Sequence, residues 1–98
     1  MKNWYSDSTD ALCEAFLSLD TKEDCYAFLE DLCTIKEILG MAQRLQVAKM
    51  LRAKASYTTI TKATGASTAT MSRVSKCYEY GSGGYNTVME RTMQEDQA

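Results

Sequence analysis

The sequence predicts an all-α chain, and three observations carry that expectation. The 98 residues contain no proline, and no run alternates apolar and polar side chains as a half-buried strand requires. Apolar residues instead recur three and four positions apart, in stretches opened by Thr with Asp or Glu three residues later. The stretch Tyr57 to Cys77 has the layout of two short helices joined by a tight turn at Gly65.

Taken in order, the first helix is expected from about Asp10 to Leu19, capped by Ser8 or Thr9. Ala11, Leu12, Ala15, Phe16 and Leu19 form its apolar stripe. Thr21 with Asp24 opens a second helix, from about Lys22 to Cys33, whose Cys25, Phe28, Leu29 and Leu32 are expected to be buried. Thr34 with Glu37 is a T-x-x-E capping box and opens a third helix running to about Lys54. There Ile35, Ile38, Ala42, Leu45, Ala48 and Leu51 hold the helical frame across Gly40. It therefore reads as one element, although glycine in a helix costs about 1 kcal/mol relative to alanine. A kink at Gly40 is the alternative.

Ser56 caps the next short helix, and Gly65 stops it, because glycine enters the left-handed conformation without steric cost. Ser67 caps the helix that follows by accepting from an N–H near Thr70. Ile60, Ala63, Ala66, Met71 and Val74 are placed to be buried where the two helices cross. Thr68, Ala69 and Ser72 remain outside and are small, whereas a merely solvated helix face favours Glu, Lys and Gln. Small hydroxyl and methyl groups suit close approach to base edges in a DNA major groove. A helical hairpin that belongs to the core and binds nothing is the bland alternative. Beyond it, Tyr78 to Tyr85 contains three glycines, and Asn86 is expected to cap a last helix from Thr87 to Met93. Those glycines lack the lysine and the preceding strand of a phosphate loop. At the front, Trp4 and Tyr5 lie on an arm too short to bury them, so they either pack on a partner chain, the favoured reading, or lie on the surface.

Length sets a single domain over residues 1–98, with a modest core that oligomerisation would reinforce. No apolar run approaches a membrane span and no signal-peptide pattern opens the chain, so a cytoplasmic location is expected. The net charge of −2 argues against nucleic acid, but its distribution argues for it. Residues 1–40 carry −6 and residues 79–98 carry −3. Residues 41–78 carry +7 from Arg44, Lys49, Arg52, Lys54, Lys62, Arg73 and Lys76, with no acid among them. A wholly basic segment over a helix-turn-helix is the electrostatic footprint of a DNA-reading module. Arg52, Lys54, Lys62, Arg73 and Lys76 are the expected phosphate contacts.

Cys13, Cys25, Cys33 and Cys77 form no C-x-x-C pair, and the chain has no histidine. No metal site is expected, and the thiols read as reduced, small core residues. Without histidine the usual general base is missing, so neither an enzyme nor a cofactor is expected.

Three signatures carry a family resemblance: Q-R-L-Q-V-A-K-M-L-R at 43–52, T-G-A-S-T-A-T-M-S-R at 64–73 and Y-G-S-G-G-Y at 80–85. Together they resemble the tryptophan repressor (TrpR) superfamily, in its YerC/YecD-like subgroup. The resemblance implies a six-helix chain, intertwined with a second copy as a homodimer. It further implies a repressor that regulates transcription, each recognition helix reading half of a palindromic double-stranded operator. It places base reading at Thr68, Ala69 and Ser72. Arg73 matches an arginine beside the amino-acid ligand of the tryptophan repressor. A second ligand-binding arginine falls at Gln43 here, with Arg44 one residue off, and Val74 stands where a glycine lies flat against the indole. A β-branched side chain would block that slot, so tryptophan is not expected as corepressor and any other effector is left unspecified. Two rivals stay open: an all-α protein–protein adaptor with a basic interaction face, and an architectural DNA binder without sequence preference.

Overall fold

Ser6, rather than Ser8 or Thr9, opens the first helix. In a computed structural model, which describes residues 2–97, the Thr9 N–H donates to Ser6 Oγ at 3.2 Å and the Ser6 N–H donates to Thr9 Oγ1 at 2.8 Å. This reciprocal pair satisfies the first orphan donors of the helix. The described residues form six helices and no strand: α1 (Asp7–Leu17), α2 (Lys22–Leu32), α3 (Ile35–Arg52), α4 (Tyr57–Thr64), α5 (Thr68–Tyr80) and α6 (Gly84–Gln97). The chain divides into two compact units, Met1–Ile38 and Leu39–Ala98.

The first unit holds α1, α2 and the opening turn of α3. Thr21 caps α2, receiving the Asp24 N–H at 3.1 Å. The Thr34–Glu37 box is complete: the Glu37 N–H donates to Thr34 Oγ1 at 3.1 Å, and the Thr34 N–H donates to Glu37 Oε1 at 2.8 Å. That backbone donor and the Thr34 hydroxyl together hold the Glu37 carboxyl below its ordinary pKa. Phe16 and Phe28 meet edge to face, with centroids 5.1 Å apart.

Neither α1 nor α2 buries a single residue. The face expected to be buried on α2 is therefore open: Phe28 and Leu29 are half-buried, and Cys25 and Leu32 are exposed. The cysteines correct a further expectation. All four are free thiols, but Cys13, Cys25 and Cys77 are exposed and Cys33 is half-buried. Helical spacing places residues on one face of a helix; it does not supply an element to cover that face.

The second unit has the core. Val47 and Ala48 of α3, Ile60 of α4, Ala66 of the turn, Met71 and Val74 of α5, and Met89 of α6 are each at most 3% exposed. The stripe expected along α3 holds at its C-terminal end, where Ala48 is core and Leu51 packs on it, but Ile35 at the other end is 63% exposed and Val47 joins the core unexpectedly. Ala63, expected to be buried at the helix crossing, is exposed as well. α3 passes through Gly40 as one helix and stops at Arg52. Its end is a two-bond Schellman cap: the Lys54 N–H donates to the Leu51 carbonyl and the Ala55 N–H to the Met50 carbonyl, both at 3.0 Å. Lys54 itself takes the left-handed conformation at φ 63°. α6 starts two residues before Asn86, the expected cap, with the Thr87 N–H bonded to the Gly83 carbonyl at 3.0 Å.

Candidate nucleic-acid interface

The α5 helix is positioned by a turn of three residues. Gly65 closes α4 at φ 71°, its N–H donating to the Thr61 carbonyl at 2.8 Å. A side chain at that φ would be strained, which is why glycine belongs there. Ala66 is then driven into the core, 2% exposed. Ser67 caps α5, its hydroxyl receiving the Thr70 N–H at 3.1 Å. On the near side Ser56 caps α4 in the same way, receiving the Thr59 N–H at 3.2 Å. All three punctuation residues act as their chemistry predicts.

Helical periodicity then divides α5 into two faces. Met71 and Val74 turn inward and are almost wholly buried. Thr68, Ser72 and Lys76 are four residues apart, as are Ala69 and Arg73, so all five share the opposite face. Every one of them is exposed. The site therefore presents two small hydroxyls and a methyl, flanked by a guanidinium and an ammonium group, on a helix anchored from behind by its own core. Lys62 and Lys54 are exposed too, and Arg52 is half-buried at the end of α3.

The four positions matched to a ligand pocket behave differently. Val74 is core, 1% exposed, and presents no open slot. The Gln43 carboxamide is already engaged, its Nε2 donating to the Thr64 carbonyl at 3.0 Å. Arg44 is exposed, with a guanidinium nitrogen 3.7 Å from where a β-carbon on Gly40 would stand. Arg73 lies on the outer face of α5. The Gln43 bond and the left-handed Lys54 are the two features that the sequence did not announce.

The profile of the Trp repressor protein family matches residues 7–93. The chain belongs to the Trp repressor family. It is 48% identical over 87 residues to the uncharacterized protein YerC of Bacillus subtilis (strain 168), covering 89% of this chain and 84% of that one. A TrpR-like protein from Eubacterium eligens ATCC 27750 superposes with a TM-score of 0.87 at 48% identity, over 89% of this chain and 90% of its own. A candidate Trp repressor from Staphylococcus aureus also gives 0.87, at 43% identity, over 90% and 88%. The expected kinship with YerC-like members of the family and the six-helix architecture agree with these relatives. Proteins of the Trp repressor family are DNA-binding regulators rather than enzymes. Among the described residues, no helix is long and apolar enough to cross a membrane.

Proposed function

We propose that this member of the Trp repressor family is a sequence-specific transcriptional repressor, acting as a symmetric homodimer on a palindromic operator. The observation that carries the reading is the outer face of α5, where exposed Thr68, Ala69 and Ser72 lie beside Arg73 and Lys76 while Met71 and Val74 anchor the helix from behind. Thr68, Ala69 and Ser72 meet base edges; Arg52, Lys54, Lys62, Arg73 and Lys76 hold phosphates.

Two features support a second copy. α1 and α2 leave Leu12, Phe16, Leu17, Tyr26 and Leu32 between 40% and 83% exposed, apolar surface that a second copy would cover. In the other unit an apolar groove of about 610 Å³, lined by Leu45, Cys77, Gly81, Tyr85 and Val88, stands open. A dimer sets two reading helices about 34 Å apart, one turn of the duplex.

If about eight of the ten cations so assigned in a dimer displace counterions, log affinity falls against log salt with a slope near −7. A gel-shift series over salt measures this, and a slope near zero removes the phosphate assignment. Competition by short duplexes of different sequence separates this reading from an adaptor, which would ignore duplex sequence, and from an architectural binder, which would treat all duplexes alike. Tryptophan is excluded as corepressor on this reading: by the resemblance Val74 stands where the indole ring would lie, its side chain is 1% exposed, and the Gln43 carboxamide donates to the Thr64 carbonyl. Calorimetric titration with tryptophan should show no saturable heat; micromolar binding would overturn that assignment.

A further inference from the structure

The three-residue turn between α4 and α5 fixes the direction in which α5 leaves, so whatever holds that turn aims the reading face. Most of its polar groups are satisfied within the motif. The Thr64 hydroxyl donates to the Ile60 carbonyl at 2.8 Å and accepts the Ala66 N–H at 3.1 Å, and the Gly65 N–H takes the Thr61 carbonyl at 2.8 Å. The carbonyl of Thr64, last residue of α4, is one of the acceptors that a helix end leaves without an internal donor. Its donor comes from outside the motif. Gln43, 21 residues earlier on α3, supplies Nε2 at 3.0 Å in a half-buried setting. Gln43 lies one helical turn before Val47, which is fully buried, so the carboxamide sits at the polar edge of the packed face of α3. Among the described residues, every other side-chain hydrogen bond joins residues no more than ten positions apart.

We infer that Gln43 is a positioning residue for DNA reading: its carboxamide latches the α4–α5 turn to α3 and so holds Thr68, Ala69 and Ser72 in the orientation that meets bases. The inference rests on the operator-binding reading above. A recognition constellation loses its discrimination when its support allows shifts of about 1 Å. Phosphate contacts by long, flexible cations tolerate such shifts far better. Removing the latch should therefore reduce sequence discrimination more than general affinity, because the competent orientation becomes only one of several populated states.

Gln43→Met tests this, keeping the length and neutrality of the side chain while deleting the donor. Two measurements are made on the full chain. In DNA-free protein, amide hydrogen exchange by NMR should quicken about three- to tenfold at Gly65 and Ala66, the range set by one net hydrogen bond, while Val47 and Met89 are unchanged. In binding, the ratio of affinity for a duplex selected by the wild-type protein to affinity for a scrambled duplex should fall about three- to tenfold. Should Gln43→Met fold poorly, Gln43→Glu removes the same donor, and the ratio cancels the effect of its added charge on phosphate binding. Unchanged exchange at Gly65 and Ala66 overturns the latch, and so does an equal loss on both duplexes. A wild-type protein that binds no duplex at all is a different failure: it removes the operator reading itself, whatever the exchange data show.

Discussion

Lys54 is placed so that stability and DNA binding should respond to its replacement in opposite directions. It occupies the left-handed position of the Schellman cap of α3 at φ 63°, with its N–H bonded to the Leu51 carbonyl at 3.0 Å. Holding a residue with a β-carbon there costs about 1–2 kcal/mol, and Lys54→Gly removes that strain. Glycine also gives the unfolded chain more freedom, which takes back about 0.4–1 kcal/mol. The net expectation is a gain of about 0.5–1 kcal/mol, or a rise in Tm of roughly 2–8 °C for a domain of this size. The same change deletes one cation per protomer. If Lys54 holds a phosphate, the salt slope of operator binding should weaken from about −7 to about −5. Urea denaturation and a salt series of gel shifts read the two effects separately. A destabilised Lys54→Gly protein would refute the strain argument, and an unchanged slope would refute the phosphate contact. Both outcomes together would mean that the lysine serves the fold and not the ligand.

Other substitutions probe the turn, the cap and the reading face. Gly65→Ala meets nothing within 4 Å of the added β-carbon, so its cost is backbone strain alone; after the unfolded-state offset, about 1 kcal/mol should be lost in thermal unfolding. Gly81→Ala should cost more, because there the added carbon runs into the Cys77 carbonyl. Thr34→Ala should cost about 1 kcal/mol as a lost N-cap and raise the Glu37 pKa, followed by NMR titration of its carboxyl carbon. Since that pKa is lowered in the folded protein, the contribution of Glu37 is present above its unfolded value and is lost as pH falls through the folded one. Arg73→Ala should weaken binding to all duplexes alike, whereas Ser72→Ala should change preference at one base pair, as selection with each variant would show.

How far the sequence could be read depended on whether a feature is local. Thr21, Thr34, Ser56 and Ser67 cap the helices that their spacing predicts, because a cap and its N–H partner lie three residues apart. Gly65 ends α4 for an equally local reason. α1 begins three residues before the expected Asp10 because S-D-S-T-D offers several competing caps, and only the Thr9 hydroxyl closing back on the Ser6 N–H selects among them. α6 begins at Gly84 because the Gly83 carbonyl is available to Thr87, which makes Asn86 unnecessary as a cap. The cysteines misled for another reason: their apolar neighbours define a face, but coverage depends on what packs against it. The division of α5 into an outer and a buried face was legible because exposed and buried residues alternate with helical period over thirteen residues. Gln43 and Lys54 were not. An acceptor 21 residues away leaves no pattern in the chain, and a left-handed lysine lacks the glycine that normally marks such a cap.

Repressor function requires that α5 discriminate among DNA sequences. Purified protein should be offered a pool of random duplexes, and the bound fraction sequenced after successive rounds. Enrichment of a two-fold symmetric sequence, with half-site centres about one helical turn apart, is the expected result. A bound fraction with the composition of the starting pool would contradict base reading by Thr68, Ala69 and Ser72, and no bound fraction at all would contradict the DNA interface altogether.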